Sequence, residues 1–325
     1  MFILQIKMYL LVALMFGILY GVLVGAGTYF GVGNASSFLI LALLMMGLQY
    51  WLGPTMVSMI MRIKYVSEKE EPELHNQIAE LAQRAGIPKP KIGISQLSIP
   101  NAFAFGRTIK DGRVCITQGL RNILNENELK AVLGHEIAHI KHRDMMIMTL
   151  LSVIPLILYW VAFNMMWGGM LGGRREGNKY TLLIGISAFL LYFITNLLIL
   201  YGSRIREYYA DKRSVQLGNN SHYLASALYK LVYSSAQLQR TQQGQIEIKR
   251  VGAIKAFFIN DVNCAQNEIK ELKEVDKDLS GTIDQNELLA LRSKETNITK
   301  TEKIMEIFTT HPNILKRIKY LADSI

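Results

Sequence analysis

Residues 125–144 read NENELKAVLGHEIAHIKHRD, and what this run becomes decides the fold. Asn125 and Glu128 stand at capping-box spacing just before the apolar positions Leu129, Val132 and Leu133. That spacing predicts a helix starting near residue 126. On it, His135 and His139 project from one face, one turn apart, and can hold one Zn2+. Glu136 lies beside that position. It can take a proton from water whose pKa the metal lowers to about 7. HExxH on a helix is a specific pattern, and it points to metal-assisted hydrolysis.

A catalytic zinc needs a third protein ligand and an open fourth position. His142 is the nearest candidate, but seven residues of straight helix put it about 10 Å along the axis from His135. No glycine bend intervenes, so His142 reads as a polar residue near a membrane surface. Glu207, in RIREYYADKR (204–213), is the better ligand. Asp211, four residues on, shares its helix face and can accept the spare N–H of a ligating histidine.

Outward from these motifs the chain is apolar. Half of its 325 residues are hydrophobic, 19% are charged and the mean hydropathy is positive. No Asp, Glu, Lys or Arg occurs over 8–61, 145–173 or 180–203. Such stretches read as membrane-spanning helices, expected near 9–31, 38–61, 147–171 and 181–202. The HExxH run precedes the third span and Glu207 follows the fourth. Two crossings return the chain to the same side, so the ligands can meet. The net charge of +10 lies mostly outside the apolar runs. It fits a cytoplasmic placement of those segments and is no sign of a nucleic-acid partner. Arg174, Arg175 and Lys179 in the loop 172–180 run against that placement. Cys115 and Cys264 form no motif and suit a reducing compartment.

The soluble material falls in two blocks, 62–144 and 204–325. In the first, Leu74, Ile78, Leu81, Ala82 and Ala85 predict a helix closed by Gly86 and Pro88. KIGISQLS, the segment around NAFAFG, and RVCITQGL read as short strands, with a turn at 110–112.

The sequence resembles the HtpX-like family of membrane zinc metalloproteases, which also includes the type I CAAX prenyl proteases. PNAFAFG (100–106), HEIAHIKHRD (135–144), the two-span insertion, EYYAD (207–211) and HPNILKRI (311–318) carry the resemblance. It implies His135, His139 and Glu207 as the ligands of one zinc per chain and Glu136 as the general base. It implies Asp144 and Asp211 as carboxylates behind the ligands. Asn101, Ala102, Phe103 and Ala104 match a strand beside the cleft, where an extended substrate would add as a further strand. His311 matches a late histidine that assists the scissile carbonyl, and Arg317 a basic position at the substrate.

Residues 276–287, DKDLSGTIDQNE, depart from the family pattern. They fit an EF-hand loop position by position: Asp276, Asp278, Ser280, the carbonyl of Thr282, Asp284 and the bidentate Glu287, with Gly281 at the sharp turn. With flanking helices over 267–275 and 287–295, this is an insertion that would bind Ca2+.

The expectation is a mainly α-helical integral membrane protein with about four spans and a small α+β zincin-like catalytic domain. Spans over 1–61 and 145–203 alternate with catalytic halves over 62–144 and 204–325. The protein should hydrolyse misfolded or membrane-associated polypeptides at the plasma membrane, its catalytic domain facing the cytoplasm. The rival readings are a narrow-specificity processing protease and a catalytically idle Ca2+ sensor.

Overall fold

The computed structural model describes residues 35–171, 178–250, 275–293 and 304–324, with isolated positions among 10–21 and at 269 and 272. The chain forms two compact units. One comprises 1–52 and 146–202, the other 53–145 and 203–325.

The first unit is helical and apolar. It holds most of helices α1 (Ala35–Ile60), α5 (Asp144–Leu171) and α6 (Asn178–Gln216), whose residues 53–60, 144–145 and 203–216 belong to the second unit. Leu151, Ile154 and Leu158 of α5 are buried with Met15. On α5 and α6, Trp160, Phe163, Leu183, Ile186, Phe189 and Leu190 stay exposed. A helix in water would bury side chains of that size, so this exposure fits a lipid surround. Among the described residues, Thr181–Gln216 is long and apolar enough to cross a membrane, and Leu151–Met166 is a shorter apolar helix. The span expected at 9–31 lies largely outside the described residues.

The second unit combines a four-stranded sheet with helices. Strands β1 (Ile63–Tyr65), β2 (Lys91–Ser95), β3 (Ala102–Phe105) and β4 (Arg113–Thr117) lie in the order β1-β2-β4-β3. Only β2 and β4 are parallel. They are joined by β3, which turns back as the edge strand beyond β4. Helix α2 (Pro72–Ala85) ends on Gly86, whose φ of 68° is the left-handed cap that glycine adopts without a Cβ penalty. A short helix α3 (Gln118–Arg121) follows β4. Then comes α4 (Glu126–Lys141), opened by the capping box of Asn125 and Glu128 that the sequence predicts.

One main core joins α2, α4, α7 (Ser221–Gln239), α9 (Gln285–Ser293) and α10 (Ile314–Ala322) to one face of the sheet. On β3, alternation sends Ala102 and Ala104 into that core, while Phe103 and Phe105 enter a second cluster with Val57 and Met61. Small residues on the α4 side let that helix pack close to the edge strand. The remaining described helix, α8, covers Gln242–Arg250.

Candidate metal centre

Helix α4 delivers His135 and His139 one turn apart, and the C-terminal part of α6 brings Glu207 opposite them. His135 Nε2 lies 3.1 Å from His139 Nε2 and 3.6 Å from Glu207 Oε2. His139 Nε2 lies 3.5 Å from Glu207 Oε1. Three donors about 2.0–2.2 Å from one tetrahedral ion stand about 3.4 Å apart. The three side chains therefore fit a zinc ion. Glu207 Oε2 is buried among cationic and imidazole groups, with Arg317 Nη1 at 3.0 Å and His311 Nδ1 at 3.3 Å.

Behind each histidine stands an acid, and behind each acid an arginine. His135 Nδ1 is 2.9 Å from Asp211 Oδ1, and Arg317 grips that carboxylate through Nε and Nη2 at 2.9 and 2.7 Å. His139 Nδ1 is 2.6 Å from Asp144 Oδ2, and Arg206 Nε is 3.3 Å from Asp144 Oδ1. The His139 Nδ1–H can donate to Asp144, which leaves Nε2 as a lone-pair donor for a metal, while His135 Nδ1 lies at ion-pair distance from Asp211 without hydrogen-bond geometry. Arg317 Nη1 also reaches Glu207 Oε2 at 3.0 Å.

Electrostatics follow from burial and these partners. Burial alone would lower the His135 pKa. Attraction to Asp211 and Glu207 outweighs it and raises the ring to about 10. Burial pushes the Glu136 carboxyl above 4.5, against the pull of His139 and His135. That makes Glu136 a better proton acceptor than a solvated glutamate. It is buried beside the ligands and accepts the backbone N–H of Ala104 on edge strand β3.

The remaining expected residues sort clearly. His311 is at the centre: its Nδ1 is 3.3 Å from Glu207 Oε2, and its Nε2 is buried without a hydrogen-bond partner among the described residues. Arg204 holds the segment before it, with Nη1 donating to the carbonyls of Glu306, Ile307 and Thr309 at 2.8, 3.1 and 2.8 Å. Asn101 is buried, tied through its backbone to Thr117, and Ala102, Phe103 and Ala104 form the edge strand. Arg317 is fully buried on Asp211 and Glu207, away from any open surface. Its geometry is that of a counter-charge for two carboxylates. His142 follows the end of α4 and sets its ring 6.0 Å from that of Tyr209.

Three contributors were not singled out in the sequence: Arg204, Arg206 and Gly134. A Cβ on Gly134 would meet Asn219 Nδ2 and, at 2.8 Å, Ser214 Oγ. Ser214 Oγ in turn donates to Ala131 O at 2.6 Å, which closes α4 against the end of α6.

The 276–287 loop is a separate cluster. Asp276, Asp278 and Glu287 offer carboxylate oxygens within 4.8 Å of one another. Asp276 also accepts N–H groups of Ser280 and Gly281 and the Tyr229 hydroxyl. Gly281 has φ 79°, the left-handed turn that glycine favours. Ser280 Oγ donates towards Thr282 O, and Asp284 accepts the Glu287 N–H at the start of α9. Most of the expected entering helix over 267–275, and the end of the exit helix, lie outside the described residues.

Comparison with known proteins follows the same lines. The sequence model of peptidase family M48 matches residues 68–325. A "Protease HtpX homolog" of Methanothermobacter thermautotrophicus is 48% identical over 247 residues, 76% of this chain and 92% of that protein. One from Moorella thermoacetica is 34% identical over 281 residues, 86% and 80% of the two chains. The crystal structure of S. mikatae Ste24p shares the fold with a TM-score of 0.51 at 17% identity, covering 98% of this chain and 65% of that one.

Proposed function

The chain belongs to peptidase family M48 and is a membrane metalloprotease, and from that premise we propose a zinc-dependent endopeptidase with His135, His139 and Glu207 as ligands and Glu136 as base. The observation that carries the proposal is that the two imidazole Nε2 atoms lie 3.1 Å apart and each within 3.6 Å of a Glu207 carboxylate oxygen, with the buried Glu136 alongside. When bound, zinc would supply Lewis-acid chemistry, acidifying water and polarising a carbonyl. Glu136 takes the proton of the attacking water and passes it to the leaving amine. An extended polypeptide lies along β3 at residues 101–104, adding as a strand to the sheet edge. His311 donates from Nε2 to the developing oxyanion. Arg317 acts from behind, balancing Glu207 and Asp211.

We read the role as membrane-protein quality control, with misfolded or membrane-associated polypeptides as substrates, and from the placement of the basic residues we read the catalytic unit as cytoplasmic. The test is metal content and casein cleavage by detergent-purified wild type and Glu136→Gln. The variant should keep one zinc and lose nearly all turnover. Wild-type turnover in it would sink the mechanism. Cleavage confined to one short motif across a peptide library would point instead to a narrow processing protease.

The 276–287 loop favours a second cation. We infer that Asp276, Asp278, Glu287 and the oxygens of Ser280, Thr282 and Asp284 take Ca2+ and modulate the protease. With no partner hand to preorganise it, the site should have a Kd of roughly 10⁻⁵ to 10⁻³ M. Calorimetric titration should show heat in wild type and none in Glu287→Gln, with zinc unchanged in both. No heat at millimolar Ca2+ would reduce the loop to an acidic turn closed by its own hydrogen bonds.

A further inference from the structure

Arg206 is almost wholly buried beside the acid that carries His139. Its Nε lies 3.3 Å from Asp144 Oδ1, and its Nη1 donates to the Asp144 backbone carbonyl at 3.2 Å. The other carboxylate oxygen, Oδ2, is left to the Nδ1–H of His139 at 2.6 Å. One guanidinium thus forms an ion pair with the Asp144 side chain and hydrogen-bonds its main chain. We propose that Arg206 is a positioning residue of the metal centre, fixing the Asp144 carboxylate so that His139 presents Nε2 to the ion. The proposal rests on the reading of His139 as a ligand.

The physical case has two parts. A fully buried carboxylate without a counter-charge is costly, and the acid that orients a ligating histidine must stay ionised to accept its N–H. A carboxylate is also free to rotate about its own bond unless something holds the second oxygen. The planar fork of an arginine can satisfy a carboxylate and a neighbouring carbonyl together, which a lysine ammonium cannot do in the same plane. Arg317 stands in the corresponding place behind Asp211 and His135, drawn from α10 rather than α6, and there it hydrogen-bonds both carboxylate oxygens. The difference is informative. Arg317 also touches Glu207, so its loss disturbs a ligand directly, whereas Arg206 reaches His139 through Asp144.

The test uses the full chain in detergent and reads zinc affinity by chelator competition, together with the visible absorption of the Co2+-substituted protein. Arg206→Gln should bind one ion about 10- to 100-fold more weakly, as loss of an outer partner of a metal-bound histidine does. Its cobalt spectrum should change. Asp144→Asn should weaken binding similarly. Because the arginine acts through the aspartate, the double variant should be no weaker than Asp144→Asn alone. Arg206→Lys should fall between wild type and Asp144→Asn, and it carries the test if Arg206→Gln does not fold. Wild-type affinity in Arg206→Gln or Arg206→Lys, or fully additive losses in the double variant, would overturn the proposal while leaving the metal site standing. His139→Ala separates the two readings. It should lose tight binding, and a full equivalent held at wild-type affinity would overturn the ligand reading and this proposal with it.

Discussion

His135 carries its proton well into the alkaline range when no metal is bound, because Asp211 and Glu207 flank it. Before Nε2 can bind an ion, that proton has to leave. Zinc added to the metal-free protein at pH 7–8 should therefore release about one proton per ion, and affinity should fall as the pH falls. A titration in dilute buffer with an indicator dye reads both, and release of no protons would contradict the raised value. The linkage to stability has a definite sign. A ring raised from 6.5 to about 10 contributes stability to the metal-free fold that is complete below pH 6.5 and lost as the pH rises towards 10. Much of this centre was legible in the sequence, since a spacing of four on a helix pairs His135 with His139 and Glu207 with Asp211. Arg206 was not. An arginine just past an apolar span reads equally well as an ordinary cytoplasmic flank charge. Arg317 was visible as a basic position, but its partner Asp211 lies 106 positions away, and local pattern says nothing across that distance.

At the level of elements, the contact between α4 and the end of α6 sets how near Glu207 comes to the histidines. Gly134 makes that contact possible. Gly134→Ala should gain about 1 kcal/mol in helix propensity. It should lose about 1–3 kcal/mol by forcing Ser214 and Asn219 apart. The net expectation is a lower Tm and looser zinc, measured by thermal melts with and without chelator. An unchanged or higher Tm would show that the two helices separate freely. The start of α4 was readable because a capping box is local chemistry, and the Gly86 terminator of α2 for the same reason. The strand order was not readable. The three segments predict strands, but which of them becomes the edge depends on long-range pairing, and it is β3, between β2 and β4 in sequence, that ends up outermost.

For the whole molecule, the apolar runs were the plainest signal in the sequence, although a run of hydrophobic residues gives length and not orientation. If the catalytic halves share one side of the membrane, single cysteines at Lys89 and Ser293, in a background lacking Cys115 and Cys264, should react with an impermeant maleimide from the same face. Labelling from opposite faces would break the four-span arrangement. One feature of α6 bears on how this protein can change over time. From Arg204 to Asp211 the helix is unbroken, and it carries Arg204 on the carbonyls before His311, Arg206 on Asp144, Glu207 on the histidines and Asp211 on His135. Each residue turns a helix by about 100°, and no loop lies within this stretch to absorb slack. Adding or deleting a single codon between Arg206 and Glu207 would swing the acids a quarter-turn or more away from sites that the arginines still occupied. Evolution can exchange side chains here one at a time, but it can alter chain length only elsewhere. Alignments of relatives should therefore run gapless through these eight positions, with their insertions collected in segments such as 276–287.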